Sequence, residues 1–170
     1  MNTTDPKIIY RPEVYTAGIR MQVPIPFGKY LTPAWRKTEK WLDARGVQGF
    51  GPAIIRYHTT DMEKLLEIDV AFITPTLLQG DDKITTGTLP AGDYAVLDHY
   101  GSYKGKGVYL ANVKIIEWAK ANQIRWDVEQ RGGEEWWAGR VEWYWNDPAK
   151  DPDPQNYRTE LTFKVQPGQA

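Results

Sequence analysis

The sequence predicts an α+β fold: two strand-helix-strand-strand modules, antiparallel sheets with helices on one side, and a ligand cleft between the halves. Three observations carry that expectation. Stretches of alternating apolar and polar residues dominate, and only two segments show helical spacing. The order of these segments runs twice, over about residues 7–76 and again over about 82–166. The two runs can be set in register, with Trp41 against Trp118, Tyr57 against Tyr144 and Glu67 against Glu160. No linker or low-complexity stretch divides them, so residues 1–170 read as one domain.

Residues 7–27 read as a strand region, most clearly over Val14–Ile19, until Pro24 and Pro26 force a loop. Thr32-Pro33 predicts a helix start, a hydroxyl cap followed by proline in the first turn. Ala34, Thr38, Trp41, Leu42 and Arg45 then share one face, and Gly46 supplies the stop. Strands follow from Pro52 to Tyr57 and from Leu65 to Ile73. In the second run, Ile84–Leu89 and Tyr94–Tyr100 are extended around a turn at Pro90–Asp93. A helix is expected over Val108–Asn122, with Ala111, Ile115 and Trp118 inward and Asn122 as a left-handed cap. Strands at Gly139–Asn146 and Arg158–Gln166 complete the chain, separated by a Pro-rich loop over residues 146–154. Residues 130–134 read as the other longer loop of the second half.

Strand parity then sorts the faces. Leu161, Phe163 and Val165 should cover the helices, as should Leu66, Ile68, Val70 and Phe72. Setting the repeats in register puts Val141, Trp143 and Trp145 on the helix side. Tyr57, Glu67, Glu142, Tyr144 and Glu160 would then meet on the second face, which lines a cleft if the halves turn toward each other. The alternative for these residues is the solvent side of an antiparallel sheet.

A net charge of −1 and the absence of Lys/Arg runs argue against direct nucleic-acid binding. No apolar run is long enough to span a bilayer, and no signal-peptide pattern is present. With no cysteine there are no disulfides or thiolate sites, and a cytoplasmic location is expected. The two histidines, His58 and His99, lack metal-ligand spacing, and no metal or cofactor is expected. No Ser-His-Asp pattern, phosphate loop or dinucleotide fingerprint is legible.

What stands out is the aromatic content. Eight tryptophans are more than an ordinary core needs, and Trp136, Trp137, Trp143, Tyr144 and Trp145 crowd one segment next to the strand bearing Glu160. A carboxylate beside ring faces suits a flat or cationic organic molecule. Candidate ligand contacts are Glu160, Tyr144, Glu142, Tyr57, Glu67, Trp137, His99 and Tyr103. Trp136 and Trp137 are either a lid or loop anchors. His99 is either a titratable helper or a turn-capping strand residue.

Residues Gly92–Tyr103, the helix carrying Trp118, Gly139–Pro148, Asp153-Pro154 and Thr159-Glu160-Leu161 resemble the second half of the GyrI-like family, which includes effector-binding domains of AraC-type and MerR-type regulators. The resemblance covers about residues 80–166. It implies a cleft between two halves, with Glu160 matching the family's cleft glutamate and Tyr144 and Tyr57 its aromatic wall. It also implies a lipophilic, often cationic, small-molecule ligand. Some stand-alone members resemble hydrolases that open cyclopropane-bearing compounds, so a hydrolase using Glu160 as acid/base with Tyr144 orienting is a second reading. A module inhibiting a protein partner through an exposed face is a third, and a homodimer fits any of them.

Overall fold

Antiparallel pairing assembles eight strands into one curled sheet in the computed structural model, which describes residues 2–168. In chain order the elements are β1 (Lys7–Arg11), β2 (Val14–Val23), α1 (Leu31–Ala44), β3 (Ala53–Tyr57), β4 (Leu66–Thr74), β5 (Thr85–Leu89), β6 (Gly92–Tyr100), α2 (Gly107–Ala121), β7 (Val128–Arg131), β8 (Glu134–Trp137), β9 (Arg140–Tyr144) and β10 (Arg158–Lys164). The sheet runs β1-β6-β10-β9-β3-β4-β2-β5, and β7 and β8 form a separate hairpin. The α+β architecture with both helices on one side follows the sequence expectation.

The two halves meet where β3 pairs with β9, with Ile55 opposite Glu142. The outer strands are exchanged. β1, at the head of the first half, pairs with β6 of the second, and β5 pairs back onto β2 of the first.

The helices form where the sequence places them. Ala34, Thr38, Trp41 and Leu42 are the buried face of α1. A short 3-10 turn over Gly28–Tyr30 leads into α1, so Thr32 and Pro33 lie in its first turn and no side chain caps it. In α2, Ala111, Ile115 and Ala119 are buried, while Trp118 packs at the core's margin. The left-handed residue after α2 is Gln123 (φ 58°), not Asn122, whose side-chain amide instead donates to the Trp118 carbonyl (2.8 Å). The same carbonyl accepts from the Asn122 backbone N–H (3.0 Å), so the side-chain amide reinforces the last turn without leaving the right-handed region.

One segment expected as loop is structured. Gly132 (φ 58°) and Gly133 (φ 79°) make the two-residue turn joining β7 to β8, because only glycine takes two consecutive positive φ values at no steric cost. Trp136 and Trp137 are therefore strand residues, not lid or loop.

Cross-strand rows fix the faces. Ile19, Val70, Ile55, Glu142, Leu161 and Leu97 lie side by side across six strands. This row faces the helices, since Leu161 and Leu97 pack with Ala111 and Ile115. The next row toward β4's start adds Ile68 and Tyr57 to the same side. The opposite face carries Gly18, Ala71, Ile54, Trp143, Glu160 and Asp98 in one row and Arg20, Asp69, Arg56, Val141 and Thr162 in another.

Two expectations are corrected here. Val141 and Trp143 belong to the face away from the helices, in a cluster with Ile54, Ala71 and Leu89. Tyr57, Glu142 and Tyr144 belong to the helix side. Pairing also aligns Asp69, not Glu67, with Glu160. Tyr57 pairs with Ile68 and Tyr144 with Thr159, and the acidic residues are the next ones along.

That second face is not simply wet. Beside its apolar cluster it holds Asp69, hydrogen-bonded by Arg20 (2.8 Å) and His58 (2.7 Å). Burial pushes the Asp69 carboxyl up, but the His58 and Arg20 hydrogen bonds and charges outweigh it and hold it at about 2. A folded pKa below the ordinary 3.8 stabilises fully above that value, and the contribution is lost as pH falls through about 2. Asp69→Asn should therefore cost about 2 kcal/mol at pH 6, shrinking toward zero near pH 2. Urea unfolding of both proteins across that range measures it.

Candidate functional site

α1 packs on β2 and β4 and α2 on β6 and β10, so Glu142, on β9 and facing the helix side, lies between the two helices. The Glu142 residue is 7% exposed. One carboxylate oxygen accepts from the hydroxyls of Tyr144 (2.6 Å) and Tyr57 (3.1 Å). The other accepts from the Asn112 side-chain amide (3.2 Å). Each of these described partners is neutral. Burial, and then the Glu142 charge, raises both tyrosines well above their ordinary value, so they remain protonated donors at neutral pH.

Rings wall the site. Trp35 of α1 meets Tyr144 edge-on at 5.7 Å, Tyr103 meets its other side at 5.1 Å, and Phe27 meets Tyr57 at 6.2 Å. All five rings are half-buried, so each keeps surface for a ligand. Edge-to-face contacts hold such rings in place without closing the space between them.

The nearest guanidinium is organised differently. Arg140, two residues before Glu142 on the same face, lies over Phe163 (4.3 Å) and Trp137 (4.7 Å). It reaches the Asn112 carbonyl oxygen at 3.4 Å, so Asn112 links Arg140 to Glu142. Burial lowers Arg140, against the raising influence of Glu142 and Tyr57.

The structure brings four of the eight predicted contacts together: Glu142, Tyr144, Tyr57 and Tyr103. The others lie elsewhere. Glu160 is buried on the opposite face, ion-paired with Arg11 and Arg158 and accepting from the Trp145 indole (3.2 Å). Glu160 therefore lies on the other face of the sheet from Glu142, Tyr144 and Tyr57. Glu67 shares Glu160's face by parity, paired with Gln22 across β2 and β4. Trp137 is core, packed on Phe163 and Trp126, with its indole donating to Thr60 (3.1 Å). His99 lies under the start of α2, so close that a Cβ at Gly107 would come within 2.4 Å of its ring. Burial lowers its pKa, which keeps it neutral near pH 7 and leaves no room for a ligand on that side.

Sequence reasoning missed Trp35, Phe27, Asn112 and Arg140. A signal existed for Asn112, a polar residue one turn beyond Val108 and beside inward-facing Ala111. The Trp41/Trp118 match also puts Trp35 and Asn112 at the same place on their helices, flanking the central pair from both sides.

Comparison with known proteins agrees with this architecture. No curated protein matches the chain. The chain resembles the crystal structure of the EcmrR C-terminal domain, with a TM-score of 0.74 at 16% identity over 95% of this chain and 97% of that one. Full-length EcmrR in a DNA complex gives a TM-score of 0.75 at 17% identity, over 98% of this chain but 58% of that chain. A structure of SAV2435 bound to tetraphenylphosphonium gives 0.59 at 13% identity, over 96% and 95% of the two chains. A hydrolase from Listeria innocua gives 0.58 at 13%, over 95% and 92%. At these identities the likeness is one of fold. The GyrI-like family profile, described as a small molecule binding domain, matches residues 4–166, nearly the whole length. The chain belongs to the GyrI-like small molecule binding domain family.

Proposed function

We propose that the cleft between α1 and α2 binds amphipathic aromatic compounds, and lipophilic cations among them most tightly. The observation that carries this reading is the environment of Glu142: a buried carboxylate whose described hydrogen bonds all come from neutral groups. Its charge is shared among neutral donors and offset only indirectly by Arg140, linked through Asn112, so a ligand cation can make the direct pairing. The half-buried rings of Trp35, Tyr57, Tyr144, Tyr103 and Phe27 supply faces for stacking, each worth about 0.5–2 kcal/mol to a cation. Few directional bonds are imposed, so selectivity is for charge and flatness more than for one compound.

Titration with tetraphenylphosphonium and with neutral triphenylphosphine oxide tests this, read by tryptophan emission, to which Trp35 beside Tyr144 contributes. The cation is expected to quench at much lower concentration. Equal midpoints, or no quenching by either, would sink the reading.

A second reading has its own support. Two tyrosine hydroxyls converge on one oxygen of Glu142, an arrangement that can orient water or a strained ring against a general acid/base. On that reading the domain is a hydrolase of reactive, cyclopropane-type compounds, with Glu142 in the role the sequence suggested for Glu160. Product formation that disappears in Glu142→Gln distinguishes it from simple binding.

A further inference from the structure

The sheet face opposite the cleft carries a second cavity, of about 400 Å³, roofed by the β7–β8 hairpin. Its floor is the cross-strand row in which Arg20 and Arg56 flank Asp69, with His58 just beyond β3. Its roof is Trp136, whose ring carries the Arg131 guanidinium at 4.9 Å and approaches the His58 ring at 6.4 Å. The hairpin is tied down at its base. The Trp137 amide donates to the His58 carbonyl (2.8 Å), and Arg56 donates to the Ala138 carbonyl (2.9 Å). The volume is therefore a built feature and not a gap under a loose loop, and it falls within the range of small-molecule pockets.

The charges around it are unevenly paired. Asp69 is held by Arg20 and His58, Asp127 by Lys164 (2.8 Å), and Glu129 by Arg131 (2.9 Å). Arg56 alone of the lining arginines has no carboxylate among its described hydrogen-bond partners. It donates to the carbonyls of Thr88 (3.1 Å) and Ala138, and its Nε is buried without an acceptor. Burial lowers the Arg56 pKa and outweighs the raising influence of Asp69 across the sheet. The lining therefore holds a guanidinium with no direct carboxylate partner, in the same cavity as the Trp136 indole.

We propose that this cavity is a second binding site, for a planar aromatic monoanion: an aromatic carboxylate of one or two fused rings. The ring lies against Trp136 and the carboxylate faces the Arg56 and Arg20 guanidiniums. A dianion would meet the additional repulsion of Asp127 and Glu129, which also line the cavity. A cation would meet three arginines. The site uses none of the cleft's residues and stands whether or not the cleft reading holds.

Isothermal titration of the full chain with 2-naphthoate and with neutral 2-naphthamide tests it. Naphthoate is expected to bind at least about tenfold tighter, and Arg56→Gln to remove that advantage while leaving naphthamide unchanged. Because Arg56 also bridges β5 and the start of β9, Trp136→Ala provides the independent variant. It should weaken naphthoate by about tenfold, with the circular dichroism spectrum and the tetraphenylphosphonium titration unaltered. The proposal is overturned by naphthoate failing to bind, by equal affinity for acid and amide, by an undiminished Trp136→Ala, or by tetraphenylphosphonium displacing naphthoate.

Discussion

Glu142→Gln should weaken tetraphenylphosphonium binding by about thirtyfold, roughly 2 kcal/mol, while triphenylphosphine oxide binds almost as before. The substitution keeps the side-chain shape and one acceptor oxygen, so the Tyr144 and Tyr57 hydroxyls retain a partner and the rings keep their positions. What it removes is the charge. The loss is expected to be selective because the aromatic walls contribute equally to both ligands, whereas only the cation gains from a carboxylate whose described hydrogen bonds come from neutral groups. Parallel titrations of wild type and variant with both compounds measure the difference. Equal losses for the two would mean that Glu142 shapes the cleft without pairing a cation.

Glu160→Ala is expected to act on the other property of the molecule. Its carboxylate is almost wholly buried and holds Arg11 of β1, Arg158 of β10 and the Trp145 indole together. Removing it leaves the Arg11 guanidinium without its described counter-charge, while Arg158 keeps Asp98 (2.8 Å). Breaking a fully buried pair costs about 3–5 kcal/mol. Here the arginine side chains keep 28% and 35% exposure and can turn toward water, so about 2–3 kcal/mol is expected. For a chain of this size that lowers the melting temperature by roughly 5–10 °C. The affinity for cleft ligands should be unchanged at temperatures where the variant is folded. A loss of tetraphenylphosphonium binding without a loss of stability would return the cleft charge to Glu160.

That pair of variants also shows how far the sequence could be read. Both helices were legible because three-and-four spacing is unambiguous and a glycine follows α1. The strands were legible as strands. Their faces were legible only where one side is apolar, as in β4 and β10. β9 buries Val141 and Trp143 on one side and Glu142, beside a half-buried Tyr144, on the other, so alternation alone could not orient it. The pairing of Leu161 with Glu142 decides it, and pairing is a property of the sheet, not of the strand. With β9 turned over, Glu160 reads as the companion of Tyr144, and Glu142 as secondary. The β7–β8 hairpin was missed although Gly132-Gly133 is a strong turn signal, because its strands are only four residues each and two of those residues are the tryptophans that drew a ligand reading.

The traded outer strands bear on how the chain comes to fold as it leaves the ribosome. β1 emerges first but has no partner until residues 92–96 have been made, and β2 keeps one bare edge until Thr85–Leu89 arrive. Neither half can finish its own sheet: the β2 edge of the nascent first half waits for β5, and its β3 edge stays open longer, until β9 is made. Completion comes only when the second half supplies both missing neighbours.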